Sequence, residues 1–212
     1  MNGHVKNMHL QQLVEKAATL LCFLLLLAVD STKTVAADRN QDCGYDLQQT
    51  LRLSRQVQKE TGNLIKQYKA SEGEMAEIFC KALISGIPDP NISGLEPSQR
   101  IASIYMQLQV FSPHLKRVHE HRMDLQPKSP LLNLINIVRD QSRRLTLRLN
   151  NIYRIFFPNL PLPEPVGGST TLLPPQNVFQ QKVYGCMVLT TYKKLLTNIS
   201  KDMRTLKSKI CS

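Results

Sequence analysis

The 212-residue chain is 42% apolar and 20% charged, which excludes wholesale disorder and provides for one ordinary core. Aromatics make up only 6% and Trp is absent while Leu abounds, a balance that favours helix packed on helix over a β-sandwich. The formal charge of +11, from 27 Lys+Arg against 16 Asp+Glu, admits nucleic acid, an anionic membrane, sulfated glycans or an acidic protein surface as partner.

The first 37 residues bear on that choice. After a polar start carrying Lys6 and Lys16, an unbroken apolar run extends from Ala17 to Val29. It is shorter than the roughly 20 residues a membrane-spanning helix needs, and Val35-Ala36-Ala37 follows it with the small-x-small pattern of a signal-peptidase site. Residues 1–37 therefore read as a signal peptide cleaved before Asp38, leaving 38–212 as a single secreted domain. Cleavage removes three Lys and two acidic residues, so 24 basic and 14 acidic residues remain and the mature chain keeps a net +10. Export makes nucleic acid an unsuitable target. The sequons Asn91-Ile92-Ser93 and Asn198-Ile199-Ser200 agree with passage through the secretory route and are the candidate glycosylation sites.

Four long helical stretches follow. The first runs from about Tyr45 to Lys69, with Leu47, Leu51, Thr61, Ile65 and Tyr68 on one stripe. A second apolar row, Leu53, Val57 and Leu64, is rotated roughly 100° from it and reads either as a wider core contact or as an exposed patch for a partner. Residues 71–97 carry three Gly and three Pro, a long connection with room for one short helix over about Glu74 to Leu83. The second long helix starts near Ser98 and ends near Arg122, its inner face formed by Ile101, Ile104, Tyr105, Leu108, Ser112 and Leu115. Pro113 inside it predicts a kink near Gln109 or a break.

After a short connection, Ser129-Pro130 opens the third long helix, whose Leu131, Leu134, Ile135, Val138, Leu145, Leu149, Ile152, Tyr153 and Phe156 share a narrow arc. Arg143, Arg144 and Arg148 point away from it. A Pro- and Gly-rich connection, Pro158 to Pro175, cannot be helical. The fourth long helix, from about Asn177 to Lys209, buries Val188, Tyr192, Leu195, Leu196, Ile199, Met203, Leu206 and Ile210.

A short connection forces the second and third long helices antiparallel, whereas the two long ones allow the first and second, and the third and fourth, to run parallel. The expectation is an all-α, long-chain four-helix bundle of up-up-down-down topology. Its four mature cysteines then pair Cys43 with Cys211 and Cys80 with Cys186, because the first and fourth helices are antiparallel. Linking Cys43 to Cys80 would require the residues after the first helix to run back further than their extended length. Cys43 with Cys186 would require the first and fourth helices to be parallel.

Chemistry of its own is not expected: no catalytic residues, no cofactor and no metal. His114, His119 and His121 contain no pair at i,i+4 spacing for a metal, and no nucleophile motif or phosphate-binding loop occurs. The sharpest feature is Val178-Phe179-Gln180-Gln181-Lys182 at the start of the fourth long helix. Phe179 occupies the first turn, where a bundle tapers and a large ring is hard to bury, and Lys182 is its i,i+3 neighbour. An aromatic anchor beside a cation suits a binding hot spot.

The stretch VFQQKVYGCMVLTTYKKLL, with its FxxK element at Phe179 and Lys182 and Cys186 after Gly185, resembles the helix D start of interleukin-6-type cytokines of the leukaemia inhibitory factor and ciliary neurotrophic factor branch. Within that branch it looks most like the leukaemia-inhibitory-factor-like members of fishes, and Cys43 and Cys80 on either side of the first helix extend the resemblance along the mature chain. The resemblance implies a secreted monomeric cytokine whose Phe179 and Lys182 contact a leukaemia-inhibitory-factor-receptor-type chain. It also implies that residues of the first and third helices, with Leu53, Val57, Arg139 and Arg143 as candidates, contact the shared signal-transducing glycoprotein receptor and so trigger JAK/STAT signalling. The competing reading is a cationic secreted bundle that binds sulfated glycans or anionic membrane.

Overall fold

The computed structural model describes residues 44–82, 84–162 and 177–211. The expected signal peptide, Cys43 and most of the Pro-rich connection lie outside the described residues. Those described are all-helical, with no strand among them: four long helices and one short one form a helical bundle. The first, α1, spans 44–72. A 3-10 turn, Gly73–Met75, leads into α2, Ala76–Lys81; then come α3, Pro97–Leu125, α4, Leu131–Phe156, and α5, Val178–Ile210.

The buried stripe of α1 differs from the expected one. Leu47, Thr50, Ser54, Val57, Thr61, Leu64 and Tyr68 are all buried, alternating steps of three and four residues, with Leu51 beside them. The row through Val57 and Leu64 is thus core, and Ile65 sits only half-buried. Three hydroxyl residues complete that stripe because each satisfies itself on its own helix: Thr50 donates to the Asp46 carbonyl at 2.9 Å, Ser54 to Leu51 at 2.9 Å and Thr61 to Val57 at 2.8 Å. Gly73, at φ +60°, takes the left-handed conformation that ends α1 and turns the chain into α2.

In α3 the helix begins one residue before the expected Ser98, at Pro97 after Glu96, with the Gln99 side-chain oxygen accepting from the Leu95 and Glu96 amides. No break occurs at Pro113: α3 continues to Leu125. Pro113 and Ser112 both face solvent, where the carbonyl that loses its bond can be hydrated, and Phe111 takes the core position expected of Ser112. In α4, Leu131, Ile135, Val138, Leu145, Leu149, Ile152 and Tyr153 are buried as the spacing requires, and Leu134 and Phe156 lie at the edge. Asn177 caps α5, its side chain accepting from the Gln180 amide at 2.9 Å. Along α5, Val188, Tyr192, Leu195, Leu196, Ile199, Met203 and Leu206 are buried, and Ile210 is half-exposed.

Register follows from the side-chain pairs. Against α1, partners on α5 fall in number as those on α1 rise: Gln48 with Lys207, Ser54 with Ser200, Gln58 with Thr197 and Tyr68 with the Lys182 carbonyl. The same descent holds against α3, with Arg100 on Asp202, Phe111 on Tyr192 and His114 on Tyr184. Tyr192 also ties α5 to α4, its buried hydroxyl donating to Ser142 at 2.7 Å. The Cys80–Cys186 disulfide, with Cα atoms 5.2 Å apart, fastens α2 to the early turns of α5. Cys211 is disulfide-bonded as well, and Cys43, its expected partner, lies outside the described residues. No described helix is long and apolar enough to cross a membrane.

Candidate functional site

At the end where α1 finishes and α5 begins, four elements converge on the FxxK stretch. The capped first turn of α5 holds Phe179 at 48% exposure, beside Val178 at 54%. One face of the Phe179 ring is supported from below. Phe79 of α2, itself buried, meets it edge-on with centroids 5.4 Å apart, and the disulfide at the next residue fixes α2 there. The ring is consequently held in one place while much of its surface stays in water, and Met75 and Ile78, just before and within α2, are exposed too.

Lys182 is more deeply engaged than a surface cation. Its side chain is 28% exposed, and its ammonium lies 2.7 Å from a Glu72 carboxylate oxygen and 5.5 Å from the centre of the Phe79 ring. The other Glu72 oxygen accepts from Arg122 of α3 at 2.8 Å, and the Glu72 and Arg122 side chains are each only 2% exposed. Arg122 also donates to Ser71 and Gln126 and stacks over the Tyr68 ring at 4.7 Å. Tyr68 closes the circuit by donating to the Lys182 carbonyl at 3.0 Å, and burial pushes its phenol well above the ordinary range, so it stays a donor. Gly185 is required next to it, since a Cβ there would overlap the Tyr68 hydroxyl. One carboxylate thus serves two cations, which leaves a net positive charge in the cluster that reaches Phe79, the ring on which Phe179 rests.

The other candidate residues are distributed differently. Val57 is fully buried and cannot present a side chain to a partner; of the two readings of its row, the core contact holds for Val57 and Leu64. Leu53 is half-buried, 15 residues and so about 22 Å along α1 from Tyr68. On α4, Arg143 is exposed, whereas Arg139 is half-buried and donates to Asn136 at 3.0 Å. Neither arginine makes a described contact with the FxxK cluster. Nothing in the sequence singled out Glu72, Arg122 or Phe79: Glu72 fell at the edge of a connection and Arg122 at a helix end, and only folding brings them together. His114 and His121 of α3 both pack on the Tyr184 ring, and no metal-holding cluster occurs among the described residues.

No protein-family model matches the chain, and no curated protein matches it.

Proposed function

We propose that the protein is a secreted, monomeric cytokine of the leukaemia inhibitory factor and ciliary neurotrophic factor branch, with no catalytic activity. On this reading it joins a leukaemia-inhibitory-factor-receptor-type chain to the shared signal-transducing glycoprotein receptor and so triggers JAK/STAT signalling. The observation that carries the reading is Phe179: a large ring, half-exposed, braced by Phe79 and the Cys80–Cys186 bridge, with a cluster of net positive charge reaching Phe79. A rigid aromatic anchor gives up little conformational entropy on binding, and nearby charge steers a negatively charged partner towards it.

Three further observations support it. The descending partner numbers of α5 against both α1 and α3, with the short 126–130 connection between α3 and α4, agree with an up-up-down-down bundle. A disulfide agrees with export. Leu53 and Arg143, away from the FxxK end, are available to the second receptor.

Affinity for sulfated glycans is a separate property of the exposed Arg143 and Arg144 on α4 and Lys193, Lys194, Lys201 and Arg204 on α5. Phe179→Ala, with Lys182→Ala added in a second variant, tests the proposal on receptor-bearing cells. A hot-spot loss of about 2 kcal/mol or more, roughly 30-fold in the concentration for half-maximal transcription-factor phosphorylation, is expected for Phe179→Ala. Retention on heparin should be unchanged by it. Full signalling by a folded Phe179→Ala variant overturns the receptor reading.

A further inference from the structure

The connection between α2 and α3 passes over the second half of α5, and two polar groups hold it there. Asn198 of α5 donates its side-chain amide to the Pro90 carbonyl at 3.0 Å. Arg100 of α3, ion-paired to Asp202 of α5 at 2.7 Å, donates to the Gly94 carbonyl at 3.2 Å. Asn91 and Asn198, the asparagines of the two sequons, line one cleft of about 230 Å³ with Arg100 and Asp202.

Both asparagine amides and both sequon hydroxyls have partners; the two sequons differ in burial and in backbone. A carbonyl oxygen has only lone pairs, so the Asn198 atom facing Pro90 must be the amide nitrogen, the very atom to which a sugar would be joined. The hydroxyl of the same sequon is equally engaged: Ser200 is 6% exposed and lies 3.1 Å from the Ser54 hydroxyl between α1 and α5. Asn198 is also fixed in helical backbone. Asn91, by contrast, is exposed on non-helical chain, its side-chain amide donating only to the neighbouring Asp89 at 3.1 Å, and Ser93 is exposed on the same segment with its hydroxyl 3.2 Å from that of Ser103. An acceptor asparagine belongs on such a surface loop.

We propose that the chain is N-glycosylated at Asn91 and not at Asn198, whose amide instead clasps the 84–96 segment onto α5. In the transfer, the Asn91 side-chain nitrogen forms a bond to the anomeric carbon of a lipid-pyrophosphate-linked oligosaccharide. The anomeric C–O bond breaks, the lipid pyrophosphate departs with the electron pair, and the amide proton passes to the transferase. A glycan joined to the Asn198 nitrogen would compete for space with the clasped segment, whose Pro90 carbonyl lies 3.0 Å from that atom.

The inference rests on passage through the secretory route, and its test separates the two. The full chain is expressed in cultured secretory cells, recovered from the medium, treated with an amidase that converts glycosylated Asn to Asp, and mapped by peptide mass. Conversion at position 91 with position 198 unaltered is expected, as is loss of the entire amidase-sensitive gel shift in N91Q. Conversion at 198, or none at 91 in secreted protein, overturns the proposal. A second arm places an unrelated cleavable leader ahead of Asp38. If only that arm reaches the medium, the native leader reading falls while the mapped positions still decide between the sequons.

Discussion

Between Leu47 and Leu64, α1 meets α5 through aliphatic side chains and small hydroxyls; between Tyr68 and Glu72 the same helix meets it through a phenol and a buried carboxylate shared by two cations. In the first region the buried hydroxyls bond within their own helix and only single hydrogen bonds at Gln48, Ser54 and Gln58 reach α5, so close packing sets most of the fit. In the second, every partner comes from a different element: Glu72 from α1, Arg122 from α3, Lys182 from α5. Buried ion pairs add little net stability over apolar packing, yet they are costly to break and fix geometry. The difference explains why the FxxK end can hold a half-exposed ring steadily without a large apolar core beneath it.

Severing the covalent tie of the polar region should have the largest effect. The Cys80–Cys186 bridge closes a loop with a sequence separation of 106, so replacing both with Ala should cost up to about 4 to 5 kcal/mol in chemical denaturation. An unchanged unfolding midpoint would mean that α2 is held by packing alone.

Breaking the ion cluster on one side comes next. Glu72→Ala strands Arg122, 2% exposed, and should lose about 3 to 5 kcal/mol. Glu72→Leu with Arg122→Met should recover most of that loss, because the one cation left without its partner, Lys182, is 28% exposed and can turn to water; a double variant as unstable as the single would show that the region depends on charge as such. In the apolar region, Leu64→Ala should cost about 2 to 5 kcal/mol through its cavity, and no double substitution with a neighbour should rescue it. Rescue there would erase the contrast between the two halves.

The smallest effect is pH-dependent and belongs to α3. Burial, and then neighbouring arginines, hold His114, His119 and His121 below their ordinary value of 6.5. The unfolded chain takes up protons below about 6.5 that the folded chain refuses until lower pH, so stability is complete above that value and falls as pH drops through the lowered values. Thermal melts at pH 7.5 and 5.5 should show the lower Tm at 5.5. Equal melting temperatures would sink this account of the α3 histidines.

Periodicity located the helices well. In α4, Leu131, Ile135, Val138, Leu145, Leu149 and Ile152 bury on the face that their spacing defines, because a long Leu-rich stripe leaves one way to leave water. In α1 it failed by a fraction of a turn. Of the three buried hydroxyl residues there, only Thr61 lies on the expected stripe; Thr50 and Ser54 fall off it, and back-bonding to the preceding turn is what fits all three to the core. That shift carries Val57 inward and removes it from any docking surface. Phe179 and Lys182 were legible from a local i,i+3 pattern, whereas Lys182's commitment to Glu72 was not, since residues 110 apart in the chain carry no local trace of each other.

From its sequence alone the chain determined which stretches are helices, where they stop, and that an aromatic residue opens the last one. Those properties depend on neighbours within a turn or two, where caps, prolines and apolar spacing act. Tertiary structure alone decided which row of α1 faces α5, that Glu72 joins Arg122 to Lys182, and that Asn198 is spent on Pro90 while Asn91 faces water. Each of these depends on which desolvated polar group finds a partner on a distant segment, and that match exists only once the helices are in register.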